Sequence, residues 1–245
     1  MPNWIHNTLE LVGPKAKIDE FYNTLQAQLA KQDPEWGLTI EWYDGFFELP
    51  QEMPRGYALM PVSPDYVNEK PQWPAWYNFN DNWKEYNCEF LGFKWSDSSL
   101  SQETKIEPPL AIDAQQSQFT FSFETPWETF NRDALQILAT KFNARLVLKS
   151  YDWNNNNYCR AQIATHDFYR IAKKELVMDD GPIAPPEYEK DDCPQAIIDQ
   201  YEAQREQWIK DKEAEIPAIL DDLQKEVIKE YETELKYRRL MERSR

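Results

Sequence analysis

Two histidines are the residues of this chain best suited to acid–base chemistry. His6 begins a strand-like stretch and has no nucleophile near it in sequence, which favours a structural role for it. His166 is followed by Asp167, but neighbouring residues of a strand point to opposite faces of a sheet, so we expect these two not to meet. The alternative is an enzyme whose site combines His6 or His166 with carboxylates from distant parts of the chain.

The three cysteines are widely spaced, contain no CxxC pair and form no zinc pattern with the histidines. With six glycines, the chain also lacks the glycine-rich loops that bind nucleotide phosphates. The sequence therefore predicts no catalytic residue, no metal site and no cofactor, and it favours a protein without enzymatic activity. We expect reduced thiols, no signal peptide and no membrane-spanning segment, which together favour a cytoplasmic location.

Acidic residues outnumber basic ones by 43 to 27, which gives a net charge of −16. This charge repels nucleic-acid backbones, so we expect no direct binding to DNA or RNA. An acidic surface can instead occupy the basic groove of a nucleic-acid-binding protein, although a solvated surface that maintains solubility is the commoner use of such charge. The candidate partner-binding acids are the paired residues Asp179, Asp180, Asp191, Asp192, Asp221 and Asp222.

Residues 50–109 are predicted to form an irregular insertion rich in proline and aromatic residues. Loops of this length in a compact domain are functional or disordered, and the aromatic content argues against disorder. Trp76 and Trp83 are the candidate binding residues of this insertion. They can stack on a base or a sugar, as in a nucleotide or small-molecule binder, or they can fix the insertion to a sheet.

The elements that must position these residues follow from the hydrophobic pattern. The central unit is 119–152, where a strand with inward phenylalanines, a helix and a second strand follow one another. Thr125, Pro126 and Glu128 match a capping box, which predicts that the helix begins there. Its predicted buried stripe is Phe130, Ala134, Ile137, Leu138 and Phe142. The other predicted elements are a strand at 4–12, a helix at 15–31, and strands at 38–49, 145–152 and 158–169.

The composition changes after residue 180, to a proline-rich linker at 181–194 and a charged tail at 195–245. Apolar residues of the tail recur at spacings of three and four, which predicts helix, and Pro217 predicts a second helix or a kink. Three uses are consistent with this pattern: packing on the core, which we favour, pairing with a second copy, and binding of a partner.

Three segments resemble the YubB-type ferredoxin-like proteins of phages and conjugative plasmids. They are 2–13 (PNWIHNTLELVG), 90–97 (FLGFKWSD) and 121–127 (FSFETPW). The chain departs from the family at Ile5, where the family has Cys, and at Leu91, where it has Trp. The resemblance covers about residues 1–155. It implies a split βαβ sandwich and a mobile-element origin, and it implies no functional residue.

Together these patterns predict an α+β chain with a ferredoxin-like sandwich at 1–180, which contains the insertion and is followed by the linker and the helical tail. We expect the protein to bind a protein partner, such as a host defence or nucleic-acid-binding complex, by occupying its basic surface in the bacterial cytoplasm. The alternatives are small-molecule or nucleotide binding by the insertion, and an enzyme whose site is not visible in the sequence. Pairing of the tail with a second copy would make a homodimer.

Overall fold

The computed structural model describes residues 4–32, 38–47, 91–92, 97–100, 106–126, 128–152, 158–176 and 194–243. The strands are β1 (Trp4–Pro14), β2 (Leu38–Glu41), β3 (Asp97–Leu100), β4 (Leu110–Ala111), β5 (Gln116–Pro126), β6 (Arg145–Asp152), β7 (Tyr158–Ala164) and β8 (Tyr169–Glu175). The helices are α1 (Lys15–Leu29), α2 (Arg132–Lys141) and α3 (Gln195–Arg243). None of these helices is both long enough and apolar enough to cross a bilayer.

The strands form one antiparallel sheet with the order β2-β3-β5-β1-β6-β7-β8, and β4 also pairs with β5. Strand β1 is central to this sheet. It pairs with β5 along its whole length, from Trp4 opposite Pro126 to Pro14 opposite Gln116, and with β6 from His6 to Val12. The sheet and its helices confirm the predicted mixed α+β class.

Helices α1 and α2 cover one face of the sheet, which we call the inner face. The phenylalanines of β5 (Phe119, Phe121 and Phe123) are at most 4% exposed, which confirms the predicted inward face. Against them α1 packs Phe21, whose ring centroid lies 5.8 Å from that of Phe121. The same core contains Ala134, Leu135 and Leu138 of α2. Because all these side chains are apolar and close-packed, this layer supplies most of the hydrophobic stabilisation of the described fold.

Helix α3 covers the part of the opposite face formed by β6, β7 and β8; we call this opposite face the outer face. Its buried residues are Ile216, Leu220, Leu223 and Val227. They pack on the sheet residues Val147, Cys159, Ala161 and Ile163. Since alternate residues of a strand point to opposite faces, Leu146 and Leu148 of the same strand β6 face the inner core instead. The tail therefore packs on the sheet, as we favoured from its sequence.

Helix α2 begins later than the capping box predicted, so that prediction was wrong. Thr125 and Pro126 continue strand β5 and pair with Ile5 and Trp4 of β1. The Thr125 hydroxyl donates to the Glu128 carbonyl at 2.6 Å, so it caps no helix. The side chain of Asn131 is the true cap. A helix cap contributes about 1 kcal/mol of stability. A continuous strand pair forms many backbone hydrogen bonds, so Thr125 and Pro126 stay in the strand and do not start the helix.

Three further predictions are corrected by the structure. Pro217 does not begin a second helix, because it lies inside the continuous helix α3, where Ile216 before it and Leu220 after it are both buried against the sheet. The stretch 158–169 is not one strand but β7, a turn and the start of β8. Ile137 of the predicted α2 stripe is 40% exposed, and Leu135 takes the buried position.

The packing of α3 on the sheet can be tested by truncating one buried residue. Leu223 is 7% exposed, and we expect Leu223→Ala to lower the free energy of unfolding by about 2–3 kcal/mol, because it removes buried methyl groups and leaves a cavity. Urea denaturation followed by circular dichroism measures this change. The control is Leu240→Ala at a position that is 62% exposed, where we expect a change within about 0.5 kcal/mol. Equal losses for both variants would contradict this packing.

Candidate functional site

His6, Glu124 and Tyr151 lie side by side on the outer face of the sheet. The register places His6 of β1 opposite Glu124 of β5 on one side and opposite Tyr151 of β6 on the other. His6 Nδ1 lies 2.8 Å from Glu124 Oε1. The imidazole and phenol rings are stacked, with centroids 4.6 Å apart and planes inclined by 16°. We call these three residues the outer row.

The outer row opens into a groove between the sheet and α3. A small cavity of about 170 Å³ is lined by the outer row together with Thr8 and Ser122. Beside it, a larger cavity of about 350 Å³ lies between Tyr151 and the middle of α3. We call this second cavity the α3 groove; its polar lining residues are Thr8, Lys149, Tyr151, Glu213 and Asp221. Tyr151 lines both cavities, so a single bound group could contact the outer row and α3 together.

Carboxylates outnumber cations around Tyr151. Burial raises the pKa of the Tyr151 phenol above its ordinary value, and the negative charges of Glu213 and Glu124 raise it further. Tyr151 is therefore a neutral hydrogen-bond donor at physiological pH. Lys149 is the cation of the groove, and its Nζ lies 3.1 Å from Asp221 Oδ1. The environment thus favours a positively charged group over an anion.

A buried polar cluster lies directly behind the outer row, on the inner face. Asn7 Nδ2 donates to Thr125 Oγ1 at 2.8 Å, and Asn7 Oδ1 accepts from Thr129 Oγ1 at 2.6 Å and from Ser150 Oγ at 2.7 Å. These four side chains are at most 2% exposed. The cluster ties β1 to β5, β6 and the segment before α2, and it satisfies polar groups that are costly to bury alone. Because Asn7 adjoins His6 in β1, this cluster fixes the backbone that carries the outer row.

The described cysteine lies outside the site. Cys159 is buried beneath α3, and burial raises the pKa of its thiol to about 11, so it stays protonated and unreactive. His6 has one carboxylate in hydrogen-bond reach, Glu124, rather than the two that would favour an enzyme. In the described part of the chain no group of three or more potential ligands could hold a metal ion. The stacked rings and the neighbouring carboxylates are groups that can bind a cation.

His166 and Asp167 meet, contrary to the prediction that they point apart. They lie in the turn between β7 and β8, where the Thr165 N–H donates to the Phe168 carbonyl at 2.9 Å. His166 Nδ1 is 3.6 Å from Asp167 Oδ1, but the His166 side chain is 69% exposed. Asp167 also pairs with Arg238 of α3, and its pKa is lowered by that hydrogen bond despite partial burial. The Asp167–Arg238 ion pair fastens α3 to the turn.

Of the acids and tryptophans singled out from the sequence, the structure describes two, Asp221 and Asp222. Asp221 lines the α3 groove and pairs with Lys149. Asp222 is exposed and lies 3.1 Å from Lys225 Nζ of the same helix, so each of these acids has a basic neighbour. The other candidates, Asp179, Asp180, Asp191, Asp192, Trp76 and Trp83, lie outside the described residues.

Sequence reasoning missed Glu124, Tyr151 and Glu213. Each is a common residue in an ordinary strand or helix pattern, and only the strand register brings the first two to His6. The available signal was that His6 lies on the less apolar face of its strand, which is the face that becomes the outer face. Without the pairing of β1 with β5 and β6, that signal identifies no partner.

No protein family, curated protein or solved structure matches this chain.

The charge of Glu213 provides a direct test of the electrostatics around Tyr151. We expect Glu213→Gln to lower the pKa of Tyr151 towards the ordinary tyrosine value of about 10, because the phenolate then has one negative neighbour fewer. Tyrosine ring-carbon NMR shifts measured across alkaline pH report this pKa, with Tyr151→Phe assigning the signal. The control is Asp222→Asn, which removes the charge of a carboxylate already paired on the same helix and should leave the Tyr151 titration unchanged.

The raised pKa of Tyr151 also links stability to pH. The stability that protonated Tyr151 contributes is fully present below about pH 10, the unfolded-state pKa, and is lost as pH rises through the higher folded-state pKa. We therefore expect the unfolding free energy of the Tyr151→Phe variant to fall less steeply with pH above about pH 10 than that of the wild type. Parallel slopes for the two proteins in chemical denaturation would contradict the burial of this phenol.

Proposed function

We propose that this protein binds a protein partner without catalysis, and that the outer row and the α3 groove receive a basic side chain of that partner. The observation that carries the proposal is the stacked His6–Tyr151 pair with Glu124 beside it and Glu213 across the groove. An arginine or lysine side chain can lie over such rings while its charged end reaches the carboxylates.

The geometry favours arginine as the inserted residue. Glu124 Oε1 lies beside His6, and its side chain is 27% exposed, so it remains accessible from the small cavity. A guanidinium is planar, stacks on aromatic rings and donates several N–H groups at once, which matches ring faces flanked by carboxylates. The small cavity of about 170 Å³ has room for the end of one side chain rather than for a nucleotide.

The net charge of the chain supports a basic partner. A charge of −16 accelerates encounter with a positively charged surface and disfavours nucleic acid itself. The exposed side of α3 nevertheless carries both signs, as in the pairs Lys225–Asp222 and Lys210–Glu206. We therefore place recognition in the α3 groove rather than on a uniformly acidic helix, with a nucleic-acid-binding or defence complex of a bacterial host as the proposed partner.

The strand order supports the ferredoxin-like part of the fold prediction. β1, α1 and β3, followed by β5, α2 and β6, form two strand–helix–strand units, and the sheet order β3-β5-β1-β6 interleaves them. This order is the one expected of a split βαβ sandwich, with β2, β4, β7, β8 and α3 as additions to it. We propose this fold type together with the mobile-element origin that the sequence resemblance implies.

Removing one carboxylate of the outer row and one of the α3 groove tests the proposed binding. We expect the double variant Glu124→Gln and Glu213→Gln to weaken partner binding by about tenfold or more, since charge-assisted hydrogen bonds contribute about 1.5–3 kcal/mol each. Wild-type protein first captures partners from bacterial lysate at low and physiological salt. Titration calorimetry with the purified partner then compares the variants.

The matched control removes two charges elsewhere. Asp44 is 60% exposed next to α1, and Asp222 is 79% exposed on the far side of α3. We expect the double variant Asp44→Asn and Asp222→Asn to bind within about threefold of wild type, because only the long-range charge changes. Equal weakening by both double variants would show that net charge alone drives binding. Recovery of no partner at either salt concentration would overturn the proposed function.

A further inference from the structure

The edge of the sheet at β2 is closed by two glutamine side chains of the chain itself. Gln28 Nε2 donates to the Glu41 carbonyl at 2.9 Å, and Gln28 Oε1 accepts from the Glu41 N–H at 3.0 Å. Gln32 makes the same two bonds with the backbone of Thr39, both at 2.7 Å. These carboxamides take the place of a neighbouring strand, so no further strand can pair there without displacing them.

The opposite edge, at β8, is open in the described part of the chain. Strand β8 pairs with β7 at seven consecutive positions, so it contains no bulge. Alternate residues of such an edge strand direct their N–H and C=O groups away from the sheet. The Tyr169 carbonyl accepts from Arg170 Nη1 at 2.9 Å, but beyond it no described residue bonds to the outward backbone of β8. Ile171 is 47% exposed, so the edge is accessible, and its unpaired backbone is a template for another strand.

Two lysines lie on either side of this open edge. Ala172 packs in the cluster beneath α3, so Lys174 lies on the outer face and Lys173 on the inner face. Lys173 Nζ is 4.4 Å from the centre of the Tyr158 ring. Neither lysine forms an ion pair within the part of the chain that the structure describes. In a chain with a net charge of −16, two cations without acidic partners beside an open edge favour a strand that carries carboxylates.

We propose that the β8 edge binds an extended acidic peptide of a protein partner, which adds to the sheet as a further strand. Backbone hydrogen bonds to β8 provide the affinity, and carboxylates that reach Lys173 and Lys174 on the two faces provide the specificity. This surface is separate from the outer row and the α3 groove, and the proposal does not depend on the function proposed for them.

The charges of β8 disfavour a second copy of the chain as the added strand. An antiparallel pair of β8 strands centred on Ala172 places Lys174 opposite Arg170. A pair centred on Lys173 or Lys174 places that lysine opposite its own copy, and a parallel pair in register does so at both lysines. Like charges directly opposite one another destabilise a strand pair, so the occupant is an acidic segment of another protein.

A synthetic peptide of about eight residues, with two glutamates alternating with two valines, tests the proposal on the full chain. It presents a glutamate and a valine on each face, so it can add to β8 in either direction. We expect it to bind with a Kd below about 1 mM in an NMR titration, with nuclear Overhauser effects between its backbone and that of β8. Two control peptides should bind at least about tenfold more weakly: one with lysine in place of glutamate, and one with N-methylated valines that cannot donate backbone hydrogen bonds.

Charge reversal on the protein locates the contact. We expect the double variant Lys173→Glu and Lys174→Glu to bind the acidic peptide at least about tenfold more weakly than wild type. The matched control is Lys210→Glu and Lys225→Glu, which makes the same change of net charge at lysines of α3 that are 68% and 76% exposed. Its affinity should stay within about threefold of wild type, with circular dichroism confirming that both variants are folded.

Several results would overturn the proposal. No binding at about 1 mM peptide would do so, as would equal binding of either control peptide or unchanged binding by the Lys173→Glu and Lys174→Glu variant. Nuclear Overhauser effects at β2 in place of β8 would place the added strand at the wrong edge. A single-stranded oligothymidylate that binds as tightly as the acidic peptide would show that the edge attracts negative charge and does not select a strand.

Discussion

The fold depends on the pairing of β1 with a strand on each side. Strand β1 is hydrogen-bonded to β5 on one side and to β6 on the other, so its register determines which residues of those strands lie beside each of its own. Its residues alternate strictly between the buried inner face and the half-buried outer face. The inner residues Ile5, Leu9 and Leu11 enter a core shared with α1 and α2, and the outer residues face the layer of α3. A shift of one residue would exchange the two faces, so the alternation specifies the register strongly.

Asn7 is the polar exception in this alternation, and it links the fold to the candidate site. It occupies an inner position at 2% exposure, and its amide makes hydrogen bonds to β5, to the segment before α2 and to β6. An apolar residue there could pack, but it would leave the hydroxyls of Thr125, Thr129 and Ser150 with fewer partners. This network defines one relative position of three strands, and the outer row requires that position because His6, Glu124 and Tyr151 come from the same three strands.

The sequence anticipated the elements whose signals are local. The alternation of β1, the phenylalanine face of β5, the bounds of β6 and the helical tail all follow from periodicity, and the structure contains each of them. A prediction that rested on a local signal alone was wrong where a tertiary contact opposed that signal, as at Thr125. The outer row was not predictable, because Glu124 and Tyr151 reach His6 only through pairings across more than a hundred residues. The alternation within a strand shows which face is buried, but it does not show which distant strand pairs with it.

Helix α3 packs on the sheet and also forms one wall of the α3 groove, and its mode of attachment explains how one helix can do both. Its buried contacts lie in the middle, from Ile216 to Val227, where they cover the apolar strip of β6 and β7. The described hydrogen bond and ion pair of Asp167 with Arg238 fasten it again near its C-terminal end. The α3 groove lies beside the beginning of this buried segment, where Ile216 and Leu220 line it together with Glu213 and Asp221. A helix of 49 residues is longer than the sheet face it crosses, so packing in the middle fixes the helix and leaves the rest of its surface accessible.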